Sequence, residues 1–368
     1  MNIREQDLTA IQDLGYTPDE ARFLYVVATH SGYFQPRQYV ASNGLASGKQ
    51  AQHFTDKLKS RGHVTWREYQ DLGGVYHLFS KTIYRRIEKT DSRNRRRHST
   101  EYIRTRLLLL DFILGNPQHE YLESETDKLA YFCGERGIPK DVLPVKRYEA
   151  ASGASTTLRY FVDKFPLFLD RSVEFDSPVV SLSYVDPGQA SLAGFAHHLQ
   201  NYARLFSSLG DFAFVYIADS SANPEKAREC FKSLVSGRVG KDLVREISLY
   251  FERRRAWELK QYGQFSTEDV ESLQSAKERF VSEELERLYA SWSSGELDGS
   301  AMRRAIARKY SDVKIMFRTC LIAQKAPQVR KPNREGGSAL HPPASCGTSP
   351  ETSPTDNSQH QEVRGHKE

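Results

Sequence analysis

The stretch Ser47–Val64, SGKQAQHFTDKLKSRGHV, decides how the N-terminal part of this chain is read. Ser47 can cap a helix in which Ala51, Phe54 and Leu58 fall at i, i+3 and i+7 on one face, and Gly62 closes it. The opposite face shows Lys49, Gln50, Gln52, His53, Lys57 and Arg61. DNA, a nucleotide or water alone would suit that surface. Gly44, Gly48 and Lys49 suggest a phosphate loop, but three residues separate the glycines and Gln50 follows the lysine, whereas that loop needs four residues and then Ser or Thr. The nucleotide reading of this stretch fails on that spacing.

The flanking sequence chooses between the other two. Upstream, Thr17 can cap a helix opening with Pro18, Asp19 and Glu20 and carrying Phe23, Leu24, Val27 and Ala28 at helical spacing, and a short helix from Arg37 to Ala41 ends in Ser42-Asn43-Gly44. Downstream, HVTWREY alternates Val64, Trp66 and Tyr69 with polar neighbours, and QDLGG turns into a second alternating run, VYHLF. Helix, short helix, turn, helix and hairpin is the order of a winged helix-turn-helix, which buries one stripe of its third helix and presents the other. Most charged faces are only solvated. This order favours double-stranded DNA as the partner.

Charge distribution points the same way. Residues 47–106 hold fifteen basic and six acidic side chains, a local net of +9 in a chain whose total is +5. A localised basic segment is the footprint of a polyanion partner. At the N-terminal end of the helix Lys49, Gln50, Gln52, His53 and Lys57 are placed to reach base edges or phosphates, Ser47 to present backbone N–H groups to a phosphate, and Arg67 on the hairpin to touch the backbone. Arg93, Arg95, Arg96 and Arg97, in the run RNRRRH, would add phosphate contacts without sequence choice.

Beyond Asn116-Pro117, DKLAYFCGERGIPKDVLP reads as helix and loop. LRYFVDKFPLFLD, PVVSLSYVD and FAFVYIADS read as strands, with helical patterns at Leu192–Leu209 and Pro224–Val235. The fold class is therefore α+β and multidomain: a winged helix-turn-helix over 1–90, a basic helix and linker over 91–117, a small α/β domain over 118–237, a helical region over 238–326 and a disordered tail over 327–368 rich in Pro, Ser, Thr and Gly.

Catalytic signals are sparse. Asp170 and Asp186 end two strand-like runs, as metal-binding carboxylates of nucleases do, yet the acid and lysine such a site needs on the next strand are replaced by Ser183 and Tyr184. No GxSxG is present, His197-His198 lack carboxylates at ligand spacing, and Cys133, Cys230, Cys320 and Cys346 form no CxxC pattern. A non-enzymatic protein without cofactor or bound metal is the expectation, and a Mg²⁺-dependent nuclease or nickase using Asp170 and Asp186, or a winged-helix protein adaptor, are the alternatives. No apolar run of membrane-spanning length and no secretory signal is visible, so a cytoplasmic location is expected.

The sequence also resembles a family. A winged helix and basic helix followed by YLESETDKLAYF, GIPKDVLP, FPLFLD, VVSLSYVDPGQASLAGFAHHLQNYARLF and FAFVYIAD is similar to the replication-relaxation proteins of plasmids and integrative elements, over about residues 10–235. The resemblance implies a restriction-endonuclease-like domain after the winged helix. Asp170 and Asp186 match acidic positions of the family, whereas Tyr184 stands where it carries another acid, which implies a degenerate nuclease core. It also implies a mobile-element protein acting on DNA in replication, transfer or regulation, with a homodimer or other mobile-element proteins as further partners.

Overall fold

The computed structural model describes residues 1–323 apart from 2, 46–47, 150–155, 164, 171–178, 189–191, 220–222, 237–238, 281 and 311–313. The expected tail and the Ser47 cap lie outside the described residues. The chain is mixed α and β.

Helix α1 (Glu5–Gln12) carries only two buried apolar residues, Leu8 and Ile11, too few for its period to stand out in the sequence. Helix α2 (Pro18–Val26) starts on a reciprocal cap, Glu20 N–H to Thr17 Oγ1 at 3.3 Å and Thr17 N–H to Glu20 Oε2 at 2.9 Å. It runs on as a π turn, Val27–Ser31, that ends at Gly32 with φ 80°. Strand β1 (Tyr33–Phe34), helix α3 (Pro36–Ser42) and helix α4 (Gly48–Ser60) follow. Strands β2 (Val64–Tyr69) and β3 (Gly73–Leu78) pair antiparallel with Val64 opposite Leu78, and β1 pairs with the other edge of β3.

In β3 the two faces are buried rather than alternating. Tyr76 and Leu78 join the helical core, while Val75 packs with Tyr33, Ile103 and Leu107. The cause is helix α6 (Thr100–Gly115), reached through the short α5 (Lys81–Arg86) and a 3-10 turn at Arg93–Arg95. The helix and linker expected over 91–117 are present, but the helix is apolar and enclosed rather than basic. Ile103, Leu107 to Leu110, Phe112 and Ile113 are all buried, and so is Arg106, because α6 is covered on every side.

What covers it on one side is a five-stranded sheet of order β10-β9-β8-β7-β4, made of β4 (Glu120–Tyr121), β7 (Phe168–Asp170), β8 (Val179–Asp186), β9 (Phe212–Asp219) and β10 (Ile315–Ile322). Strands β8, β9 and β10 run parallel, with β7 and β4 antiparallel at the far edge. Strand β8 is buried at every position, as expected for a parallel strand covered on both faces. Val185, Val215 and Ile217 share a core with α6, whereas Leu182, Tyr184, Phe214 and Tyr216 face α8 (Leu192–Asn201), α9 (Ala203–Leu209) and α10 (Pro224–Phe231). The hairpin of β5 (Val145–Glu149) and β6 (Thr156–Tyr160) stands apart from the sheet, and α7 (Glu125–Leu129) leads to it.

The region expected to be helical to residue 326 holds α11 (Val239–Glu258), α12 (Thr267–Arg279), α13 (Glu283–Ser293) and α14 (Gly299–Tyr310), packed around Ile247, Phe251, Tyr289 and Trp292. It is not helical throughout. Ile315–Ile322 forms β10, paired in register with β9 from Phe212 to Asp219, so these four helices are an insertion between two neighbouring strands.

Candidate nucleic-acid interface

Helix α4 buries Ala51, Phe54, Thr55 and Leu58. Phe54 meets Phe23 edge-on at 5.8 Å between ring centroids and stacks on Tyr39 at 4.3 Å, so α2 and α3 fix the rotation of α4 about its axis. That rotation leaves Lys49, Gln50, Gln52 and His53 exposed together. Among the described residues the side chains of Lys49, Gln50 and His53 make no hydrogen bond or ion pair. Gln52 donates to both oxygens of Asp56 at 2.9 Å and must release them to bond elsewhere.

Lys57 and Arg61 do not share that surface. Lys57 Nζ donates to Glu20 Oε2 at 2.6 Å and lies 5.0 Å from the Tyr16 ring centre, and Arg61 donates to the Leu14 carbonyl over the same ring. Lys57 ties α4 to α2, and Arg61, just past α4, ties its end to the loop before α2. Lys57 therefore has a structural engagement that the free Lys49 lacks.

On the hairpin the alternation expected for Val64 and Trp66 holds only for Val64. Trp66 is 49% exposed and lies across Gly74 of the neighbouring strand, where a Cβ would meet its Nε1 at 2.7 Å. Arg67 is exposed beside it. The outward indole of Trp66 is not legible in the sequence, because the alternating pattern assigns it to the core.

The basic run is folded rather than extended. Asn94 at its centre is fully buried, its Nδ2 donating to the carbonyls of Ala28 and Thr29 at 3.0 Å each. Arg95 turns inward too, donating to the carbonyls of Phe79 at 3.2 Å and Thr90 at 2.8 Å. Arg96 and Arg97 are exposed, and Arg93 lies over the Tyr148 ring at 5.5 Å. Of the four arginines expected to meet phosphate, Arg95 is thus committed to backbone carbonyls.

The two aspartates of the nuclease alternative are not brought together. Asp170 pairs with Val179 at the start of β8 and Asp186 ends that strand, seven residues on; the separation is about 23 Å at the rise of a strand. Asp170 accepts from Arg318 Nη1 at 2.8 Å, and Asp186 accepts from Gly188 N–H at 2.9 Å and from the Tyr216 hydroxyl. Ser183 donates to the Pro166 carbonyl at 2.6 Å, and Tyr184 packs among Phe165, Phe195 and His198. A single ion cannot touch both aspartates. His198 faces inward, 3.3 Å from Asp163 Oδ2, and His197 faces out.

No family model, no curated protein and no solved structure matches the chain.

Proposed function

We propose that residues 1–90 are a winged helix-turn-helix that binds double-stranded DNA, with α4 entering the major groove and the β2–β3 hairpin as its wing. The observation that carries this reading is the surface of α4. Its apolar stripe is locked by Phe54 against α2 and α3, while Lys49, Gln50 and His53 stand free at its N-terminal half and Gln52, exposed beside them, is held by Asp56. Gln is suited to adenine and Lys to guanine in that groove. Arg67, Arg96 and Arg97 supply further exposed cations. The resemblance to replication-relaxation proteins supports a setting in a mobile element, with the sheet and its separated aspartates as a scaffold for the reader.

Binding of the full chain to random duplex DNA tests the proposal. Affinity should fall steeply as salt rises from about 50 to 200 mM, because neutralised phosphates release counterions. Arg96→Ala with Arg97→Ala should weaken all sequences alike and flatten the salt slope by about 1 to 2. Lys49→Ala with Gln50→Ala should cost about 1 to 3 kcal/mol on a selected site and little on random DNA. Failure to bind any duplex at low salt would remove the proposal.

A further inference from the structure

A cleft of about 500 Å³ opens beside the basic run, lined by the π turn after α2, the segment from Glu88 to Arg96, helix α6 and the loops on both sides of the β5–β6 hairpin. Sites for small molecules have this size.

Its charges do not cancel internally. Four carboxylates line it, of which three are engaged, Glu123 with Lys89 at 2.7 Å, Glu125 with Arg159 at 3.1 Å, and Glu88 with Arg4 at 3.2 Å from outside the cleft, while Asp91 has no ion pair among the described residues. On the cationic side, Arg93, Arg96 and Lys128 have no ion pair among the described residues.

Lys128 is the telling group. It is 5% exposed, lines the cleft, and makes no hydrogen bond among the described residues; its Nζ lies 5.6 Å from the centre of the Phe161 ring. Burial pulls its ammonium down to about 8 in spite of the attraction of Asp163. With its stem buried and its ammonium free of hydrogen bonds among the described residues, Lys128 has donors to offer an occupant that brings acceptor oxygens. The backbone is also strained here. Of the three described non-glycine residues in the left-handed region, Glu88 at φ 58° and Phe161 at φ 51° both line this cleft.

We propose that the cleft binds an organic phosphate of nucleotide size, its phosphate oxygens accepting from Lys128 and Arg96 and its ring packing on Tyr160. Strained backbone, a buried ammonium and aromatic walls meet at one place, which a merely structural ion cluster does not require. The phosphate can come from a free nucleotide or from the 5′ end of a DNA strand. The inference does not depend on duplex binding by α4.

Calorimetric titration of the full chain tests it, with ATP, adenosine and single-stranded oligonucleotides with and without a 5′ phosphate as probes. ATP should bind at micromolar concentration and adenosine at least about tenfold more weakly. Lys128→Met should cut ATP affinity by about tenfold or more, raise the melting temperature of the ligand-free protein by relieving the buried charge, and leave duplex affinity unchanged. Arg96→Ala, on an exposed side chain, should weaken ATP without changing the melting temperature. Competition with ATP by the 5′-phosphorylated strand alone would identify a strand end as the source, and its absence a free nucleotide. If no phosphate-bearing probe binds at millimolar concentration, or if neither substitution changes ATP affinity, the proposal is wrong.

Discussion

Asn94 shows how one side chain can organise a stretch that reads as solvated charge. The π turn at Val27–Ser31 releases carbonyls from the regular helical ladder, and the Asn94 amide takes those of Ala28 and Thr29. Its Oδ1 accepts from Arg106 Nη2 at 3.3 Å, and its own carbonyl faces His77 Nε2 at 3.1 Å. Gly32 completes the fit, since a Cβ there would meet the Asn94 carbonyl oxygen at 2.3 Å on a backbone already at φ 80°. Replacing Asn94 by Ala leaves two carbonyls and part of a buried guanidinium without their partner, so urea unfolding should show a loss of about 3 kcal/mol. Gly32→Ala should cost at least as much through strain and overlap together. A loss under about 1 kcal/mol at Asn94 would mean that these groups find other partners. None of this is legible in RNRRRH, because the burial of Asn94 depends on a π turn more than sixty residues earlier and on Arg106 from the next helix.

Among the elements, those with a regular apolar period and a cap were readable from sequence. Thr17-Pro18 with Glu20 and the short helix after Pro36 stand where capping and turn residues put them, and α4 where its apolar period puts it. Strand β10 was missed because MFRTCLI follows a helix and has polar Arg318 and Thr319 within it, and only pairing with β9 makes it a strand. The candidate site was half legible. The free face of α4 follows from its apolar stripe, but which cations stay free depends on α2, since Glu20 and Tyr16 claim Lys57 and Arg61. Lys57→Met should therefore lower stability by about 0.5 to 1 kcal/mol, the range of a partly exposed pair, and change DNA affinity less than about twofold. Lys49→Ala should do the reverse. Parallel measurement of melting temperature and duplex affinity separates the two, and a large binding defect from Lys57→Met with an unchanged melting temperature would contradict the division of roles.

Across the whole molecule, one carboxylate links the N-terminal helices to the segment that leads from the sheet into α7. Glu123, just beyond β4, accepts from Lys89 Nζ at 2.7 Å and from the Tyr25 hydroxyl at 2.7 Å, and His30 Nε2 lies 3.6 Å away. Burial alone would raise its pKa, but the nearby His30 ring and the charge and hydrogen bond of Lys89 together outweigh burial and hold it at about 2. His30 is itself held below its ordinary value by burial, against the pull of Glu123. The unfolded carboxyl titrates near 4.5. A depressed carboxylate stabilises the fold above the unfolded value, and that stabilisation is lost as pH falls from about 4.5 towards 2. At 1.36 kcal/mol per pH unit the contribution is about 3 kcal/mol. Glu123→Gln keeps the shape and cannot ionise, so it should be less stable by up to about 3 kcal/mol at pH 7 and should approach the unsubstituted protein near pH 2.5. His30 faces a carboxylate in one protein and an amide in the other, so the difference between their curves belongs to Glu123 together with His30 and Lys89. Denaturant midpoints measured from pH 7 down to 2.5 decide the matter: converging curves place the ion pair at the centre of this junction, and parallel curves would show that Glu123 is held by packing and hydrogen bonds whatever its charge.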